Sequence, residues 1–245
     1  MDCKKLKQNN MIVNNNYSQM QEGLYNALAS EWSLENRDPV VGSFDAHNNW
    51  QDYEDYLWKD ITDLKNKKVI DFGCGPGRNL VRWSSYIGKL DGVDISSINL
   101  DKAKVWISAN GLNPDNFSLY KGEGTGISSV PSDSYDVVMS TIAMQHICVH
   151  DIRVNLFKEF HRVLKDSGKI TIQMGFGPNH PRSVDYYENY YDANTSNGGM
   201  DTRIEDPNQL KEDLEKIGFK NFNFYIRPVG PGDSHNNWIF FNAEK

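Results

Sequence analysis

The chain has 245 residues, of which 38% are hydrophobic, and this length and composition suffice to bury a full core in one globular domain. Its formal net charge is −7, without a dense lysine and arginine cluster beyond the N-terminal segment. This charge disfavours binding to duplex DNA or RNA, which requires a basic surface.

Cysteine content and hydropathy indicate the compartment. The three cysteines are too few and too scattered for a disulfide framework or a zinc site. No apolar run approaches the roughly 18 residues of a membrane-spanning helix, and the N-terminus lacks the core of a signal peptide. We therefore expect a reduced, cytoplasmic protein without a membrane partner, and the sequence predicts no metal-binding residue.

The N-terminal part of the chain divides into a tail and a helical segment. Residues 1–16 are rich in asparagine and lysine and are predicted to be a disordered tail, followed by a single domain over residues 17–245. Apolar residues recur at helical spacing from Tyr17 to Trp32, which predicts an amphipathic helix. A second helix follows, so residues 17–65 form a helical segment in front of the core.

Strands and helices alternate through the rest of the chain. Apolar runs typical of buried strands occupy residues 68–72, 90–94, 117–120, 135–140 and 169–174. Helical patterns lie between most of them and over residues 206–218, and two final strands follow at 222–229 and 238–242. This order predicts an α/β protein with one twisted, mostly parallel sheet covered on both faces.

The most informative motif lies at residues 69–77, which read Val-Ile-Asp-Phe-Gly-Cys-Gly-Pro-Gly. The pattern predicts a buried strand, a tight turn that glycine makes without steric penalty, and the start of a helix. Its G-x-G-x-G spacing differs from the G-x-G-x-x-G of dinucleotide sites. Seventeen residues after Gly77, the second strand ends at Asp94, whose carboxylate could accept both hydroxyls of a ribose.

The glycine motif together with Asp94 resembles the cofactor site of class I S-adenosylmethionine-dependent methyltransferases, over roughly residues 66–176. The resemblance implies a Rossmann-like, seven-stranded, mostly parallel sheet with one antiparallel strand, helices on both faces and an N-terminal helical lid. It also implies the cofactor S-adenosylmethionine. The alternative is a glycine-rich turn in another nucleotide-binding α/β fold.

The same resemblance assigns a cofactor-binding role to eleven residues: Asp71, Gly73, Cys74, Gly75, Gly77, Arg78, Asp94, Ile95, Glu123, Gly124 and Ser140. In this family the acid at the position of Asp71 reaches towards the amino group of the cofactor, and the glycines let main chain line the methionine moiety. Glu123 stands where the family usually has an aspartate that binds the adenine amino group; the alternative is an exposed loop acid. Arg78 could reach the methionine carboxylate, or it could be a surface arginine.

Methyl transfer demands little chemistry from the protein, because the sulfonium of the cofactor is already an activated electrophile. An alcohol acceptor also needs a base. His146 follows the fourth strand, where many family members place a histidine that faces the substrate, and histidine titrates near neutral pH. We predict His146 as the general base; the alternative is a structural histidine.

Two segments are predicted to shape the acceptor pocket. The N-terminal helix, with Tyr25 and Trp32, is similar to the lid of small-molecule methyltransferases. Residues 175–203 form a long insertion rich in aromatic residues, and loops of this length are uncommon unless functional; the alternative is a loop whose tyrosines only pack. The predicted substrate-binding residues are Tyr25, His180, Tyr187, Tyr190 and His235.

The sequence thus predicts a methyltransferase that acts on oxygen or nitrogen of a polar small molecule, such as a sugar or a nucleotide-linked sugar. The alternatives are a nucleic-acid or protein methyltransferase, a nicotinamide-dependent dehydrogenase, and a non-catalytic homologue that binds the cofactor. The Asn/Asp-Pro-Pro-Tyr/Phe signature of base methylation is absent, since residues 140–143 read Ser-Thr-Ile-Ala. The glycine spacing opposes the dehydrogenase, and we expect no nucleic-acid or membrane partner.

Overall fold

The computed structural model describes residues 3–36, 53–190, 201–229 and 235–245, with side chains from residue 16 onward. The helices in this part of the chain are α1 (Cys3–Ser30), α2 (Tyr53–Leu57), α3 (Arg78–Trp83), α4 (Ser97–Ala109), α5 (His150–Val163) and α6 (Pro207–Ile217). The strands are β1 (Lys68–Phe72), β2 (Lys89–Asp94), β3 (Leu119–Lys121), β4 (Tyr135–Ser140), β5 (Leu164–Phe176), β6 (Ser183–Asp185), β7 (Asp201–Ile204), β8 (Lys220–Pro228) and β9 (Asn237–Glu244). None of these helices is long and apolar enough to cross a membrane.

Seven of the strands form the central sheet, in the order β3-β2-β1-β4-β5-β9-β8. Strands β1 to β5 pair in parallel, whereas β9 is antiparallel to both β5 and β8. The predicted α/β fold with one antiparallel strand is confirmed. Because β1 pairs in parallel with β2 and β4, the carboxyl ends of these three strands meet at one edge of the sheet.

The core lies on both faces of this sheet. Val69 and Ile70 are neighbours in β1 and both are fully buried, on opposite faces. Val69 packs in a cluster with Leu80 of α3, and Ile70 packs in a second cluster with Phe160 of α5. Two covered faces explain why the central strands read as continuous apolar runs.

Strands β6 and β7 extend the sheet beyond the end of β4. The pairing of β4 with β5 ends at Ser140 and Ile172, and β7 pairs in parallel with Gly175 and Phe176 of β5. Since β9 occupies the other side of these two residues, β7 lies past the carboxyl end of β4. The predicted insertion over residues 175–203 is therefore partly a sheet extension, and its residues 191–200 lie outside the described residues.

Helix α1 begins at Cys3, whereas the sequence predicted a disordered tail over residues 1–16. No glycine or proline occurs between residues 3 and 22, and extending an existing helix costs far less than nucleating one. The Lys102 ammonium donates to the Trp32 carbonyl (2.7 Å), and the Ser96 hydroxyl donates to the Asn26 side chain (2.6 Å). These contacts hold the end of α1 against α4, which is compatible with the predicted helical lid over residues 17–65. Residues 37–52 of that segment lie outside the described residues.

Candidate active site

A cavity of about 550 Å³ lies at the carboxyl ends of β1, β2 and β4. Its size is in the range of small-molecule sites, and its position is where open α/β sheets bind their ligands. The glycine turn after β1 and the loops after β2, β3 and β4 form one side of the cavity, and α1 forms the other.

The three glycines of the turn all have positive φ: 72° at Gly73, 51° at Gly75 and 87° at Gly77. A Cβ at Gly73 would lie 2.3 Å from that of Ala143, and one at Gly77 would lie 3.1 Å from that of Ala103. A Cβ at Gly75 would meet no atom within 4 Å. Gly73 and Gly77 therefore allow close packing, whereas Gly75 leaves open space at the cavity wall.

Asp94 joins the end of β2 to the glycine turn. One of its oxygens accepts a hydrogen bond from the Gly75 amide (2.9 Å), and the other accepts from the Ser96 amide (2.8 Å) and the Asn99 side chain (3.3 Å). Burial raises the pKa of the Asp94 carboxyl, and these hydrogen bonds oppose the rise. The carboxylate lines the cavity, as its predicted contact with a ribose requires.

Asp71 is fully buried, and neither of its carboxylate oxygens has a hydrogen-bond partner among the described residues. Burial raises its pKa to about 7, although the positive charge of Arg78 works against the rise. Asp71 does not itself line the cavity, but Gly73 and Arg78 do. A buried acid without a partner is costly, and a ligand ammonium group would supply the missing positive charge, so the site fits the amino group of the predicted cofactor.

Arg78 opens α3, is buried and lines the cavity. Its guanidinium donates to the Thr141 hydroxyl (3.2 Å), which also accepts from the Asn79 side chain (3.0 Å). The turn after β1 is thereby tied to the loop after β4. Sequence reasoning did not assign Asn79, which also lines the cavity; its position next to Arg78 was the available signal. The predicted Ser140 is buried outside the lining, with its hydroxyl donating to the Phe72 carbonyl (2.9 Å).

At the predicted adenine end, Ile95 and Gly124 line the cavity, but Glu123 does not. The exposed carboxylate of Glu123 accepts instead from the amide of Ser128 (3.2 Å) and from its hydroxyl. The buried Cys74 also lines the cavity, and burial raises the pKa of its thiol well above the usual value. Burial and a like-charged neighbourhood make this cysteine a packing residue rather than a nucleophile.

His146 lines the opposite end of the cavity, and its side chain is 29% exposed. Its Nδ1 lies 2.6 Å from the carboxylate of Asp201, the first residue of β7. Sequence reasoning missed Asp201, because it lies 55 residues from His146 along the chain and belongs to no recognisable motif.

Helix α1 fixes the main chain around His146. The Tyr17 hydroxyl donates to the His146 carbonyl (2.9 Å) and accepts from the Cys148 amide (2.7 Å). The Gln21 side chain also reaches the His146 carbonyl (3.3 Å). The Tyr25 ring lies 6.3 Å from the His146 ring, and burial, followed by the charge of Asp201, raises the pKa of its phenol well above the usual value. Tyr25 lines the cavity, as predicted for a substrate-binding residue.

The other predicted substrate-binding residues do not line this cavity. Nε2 of His235 lies 2.9 Å from the Asp201 carboxylate, and the His235 ring packs near His180, with ring centroids 5.4 Å apart. The Tyr187 hydroxyl donates to the Gln209 carbonyl, and Tyr190 packs against the core. The insertion supports the loop that carries His146, and the substrate-binding roles of these four residues stay predictions.

The loop after β4 is strained at the cavity. Ile142 lines the cavity and has a φ of 54°. Its amide donates a hydrogen bond to the side-chain oxygen of Gln173 (2.7 Å). A β-branched residue in this left-handed region costs on the order of 1–3 kcal/mol. Such strain is retained where the surrounding structure imposes it, here beside the turn that carries Gly73.

Residues 69–168 match a protein family described as a methyltransferase domain. An uncharacterised methyltransferase of Bacillus subtilis, YcgJ, is 26% identical over 145 residues, which are 59% of this chain and 51% of that protein. The chain spans about half the length of the curated relatives that it matches.

Two solved structures show the same fold. Phosphoethanolamine N-methyltransferase 2 of Haemonchus contortus, in complex with phosphomonomethylethanolamine and S-adenosylhomocysteine, has a TM-score of 0.62 at 17% identity, covering 84% of this chain and 57% of that one. The 4+2 cyclase SpnF has a TM-score of 0.61 at 15% identity, and the match covers 95% of this chain and 94% of that one. Residues 69–168 are thus similar to a methyltransferase domain, and the chain has the fold of these solved structures, as its glycine turn predicted.

Proposed function

We propose that this protein transfers a methyl group from S-adenosylmethionine to an oxygen or nitrogen atom of a polar small molecule. The observation that carries the proposal is that the glycine turn with Asp94 and the imidazole of His146 line one cavity. A sugar or a nucleotide-linked sugar is the first acceptor class to test. A cytoplasmic location agrees with the two buried free cysteines, Cys74 and Cys148.

Each wall of the cavity has a role in this reaction. When bound, S-adenosylmethionine supplies the methyl group as an electrophile. Asp94 accepts hydrogen bonds from the ribose, while the charges of Asp71 and Arg78 complement the amino and carboxylate groups of the methionine moiety. Tyr17 and Gln21 hold the main chain of His146, whose ring accepts the proton of a hydroxyl acceptor. Helix α1 covers the part of the cavity around His146 and restricts the access of water.

The cavity volume of about 550 Å³ and the negative net charge favour a small acceptor over a nucleic acid or a protein. A different outcome for the same fold is cofactor binding without methyl transfer, since the structurally similar SpnF is a cyclase. Incubation with radiolabelled S-adenosylmethionine and a fractionated metabolite pool separates these cases. A labelled small molecule supports the proposal, whereas labelled RNA or protein, or binding without any labelled product, would replace it.

The first prediction concerns cofactor affinity. We expect micromolar-range binding of S-adenosylmethionine and S-adenosylhomocysteine and no binding of NAD. Asp94→Ala should weaken cofactor binding at least about tenfold, because each charge-assisted hydrogen bond to the ribose is worth roughly 1.5–3 kcal/mol. Calorimetry on this variant, on Asp94→Asn and on the exposed control Asp101→Ala measures the effect. Unchanged affinity in both Asp94 variants would contradict the assignment.

The second prediction concerns Gly75. Gly75→Val should abolish cofactor binding in a folded protein, because its side chain would fill the open space at the cavity wall. Gly111→Val is the matched control: Gly111 also has a positive φ (73°) and open space at its Cβ, but it lies outside the cavity lining. The backbone strain is thus common to both variants. Equal cofactor affinity in the two would show that the turn does not hold the ligand.

The third prediction concerns pH and Asp71. Its pKa rises from 3.8 to about 7 on folding because the carboxyl is buried, so the folded protein keeps a proton that the unfolded chain loses. The stability contributed by this group is complete below about pH 4 and is lost as the pH rises through about 7.

The contribution of Asp71 should therefore make the free energy of unfolding of the cofactor-free protein smaller at pH 8 than at pH 5.5, as measured by urea unfolding. Asp71→Asn should lack this part of the pH dependence, and S-adenosylhomocysteine should reduce it in the wild type. An identical pH dependence in wild type and variant would mean that folding does not change the protonation of Asp71.

The fourth prediction concerns His146 as the base for a hydroxyl acceptor. His146→Ala should lower turnover by about 10²–10⁴ and leave cofactor affinity intact, because a positioned imidazole contributes this much to proton transfer. If a histidine is the base, wild-type activity should rise with pH, and this rise should be absent in His146→Ala. His161, which packs against Phe219 outside the cavity lining, provides the control variant His161→Ala.

An amine acceptor would give a smaller loss in His146→Ala, because an amine can be neutral before it attacks. Full activity in His146→Ala would leave His146 a structural role. Attention would then move to His180 and His235.

A further inference from the structure

Asp201 joins two imidazoles that are far apart in the sequence. Its Oδ1 lies 2.6 Å from Nδ1 of His146, and its Oδ2 lies 2.9 Å from Nε2 of His235. The Asp201 side chain is 16% exposed and that of His235 is 1% exposed. Asp201 therefore lies between a histidine of the cavity wall and a histidine buried behind it.

The surroundings of His235 indicate which of its ring nitrogens donates to Asp201. Its Nδ1 is buried and has no hydrogen-bond partner among the described residues. The backbone of Gly175 packs against this nitrogen so closely that a Cβ there would lie 2.3 Å from it. A proton on Nδ1 would be buried without an acceptor, which is unfavourable. Nε2 of His235 is therefore the nitrogen that donates its N–H to Asp201.

Asp201 in turn remains ionised. Burial raises the pKa of its carboxyl, but the hydrogen bonds with His146 and His235 outweigh burial and hold the pKa below its usual range. The other titratable groups close to it are the Tyr25 phenol on α1, Cys148 before α5, and His180 after β5. Oδ1 of Asp201 faces Nδ1 of His146, so the negative charge of Asp201 lies directly beside this ring.

We propose that Asp201 is a positioning residue that fixes the tautomer of His146 and stabilises its protonated form. In the neutral ring the proton lies on Nδ1 and is donated to Asp201, which leaves Nε2 as the basic nitrogen. No described residue bonds Nε2, and the ring lines the cavity. This inference rests on the proposed function and adds a residue from the insertion, on β7, to the site.

The step that Asp201 supports is the loss of a proton from a hydroxyl acceptor. The O–H bond breaks, its proton goes to Nε2 of His146, and the oxygen forms a bond to the methyl carbon. The electron pair of the broken carbon–sulfur bond goes to sulfur. His146 is then an imidazolium next to the carboxylate of Asp201, which does not take the proton itself.

The chain contains a second histidine–aspartate pair that serves as an internal control. Nε2 of His150 lies 2.7 Å from the carboxylate of Asp213, which also accepts from the Tyr186 hydroxyl (3.1 Å). None of these three residues lines the cavity. Asp213→Asn therefore removes a similarly buried carboxylate without touching the proposed site.

Nitrogen NMR of the full chain labelled with ¹⁵N-histidine reads the tautomers without any turnover. In the wild type at a pH where the rings are neutral, His146 should carry its proton on Nδ1 and His235 on Nε2. Asp201→Asn offers a single oxygen acceptor, so one of the two rings should change tautomer, while Asp213→Asn should change neither. A wild-type His146 with its proton on Nε2 would overturn the proposal, even if Asp201→Asn fails to fold.

Kinetics with the identified acceptor complete the test. Asp201→Asn should lower kcat roughly tenfold or more, with KM and cofactor affinity within about threefold, because proton transfer and not binding is affected. Asp213→Asn should keep wild-type kcat. If the wild type fails to bind S-adenosylmethionine, the proposed function fails while the tautomer result stands. If the wild type is active and Asp201→Asn retains its kcat and tautomers, only the role of Asp201 fails.

Discussion

The parallel pairing of β1 with β2 and β4 is the constraint on which the site depends. It brings the glycine turn, Asp94 and the loop of His146 to one edge of the sheet, although the chain separates them widely. The hydrogen bond from the Gly75 amide to Asp94 and that from the Ser140 hydroxyl to the Phe72 carbonyl fasten these ends to each other. The strands thus position the loops that form one side of the cavity, and α1 forms the other side.

Three buried carboxylates at this edge show how the fold accommodates negative charge. Backbone amides satisfy Asp94, two imidazoles satisfy Asp201, and no described residue forms a hydrogen bond with Asp71. The first arrangement shapes the turn and the second orients a base. The third is a buried carboxyl that a cationic group of a ligand would stabilise in its charged form.

The segment between β5 and α6 has a supporting role that its composition did not suggest. Its tyrosines pack or bond outside the cavity lining, whereas β7 brings Asp201 and Thr202 past the end of β4. There the guanidinium of Arg153 donates to the Thr202 hydroxyl (3.0 Å) and to the carbonyls of Ile147 and Tyr186. This fully buried arginine thus ties β7 and the insertion to the loop that carries His146.

The sequence by itself determined the sheet and the part of the cavity wall that follows β1 and β2. Continuous apolar runs, the alternation with helices, three glycines that need positive φ, and an acid at the end of β2 are local signals, and each depends on residues close together in the chain. Gly73, Gly75, Arg78, Asp94 and Ile95 were accordingly predicted where the structure has them in the cavity wall. Only the tertiary structure decided the surroundings of His146. The partners Asp201 and His235 and the hydrogen bonds from α1 to His146 result from contacts between distant segments, for which no local pattern exists.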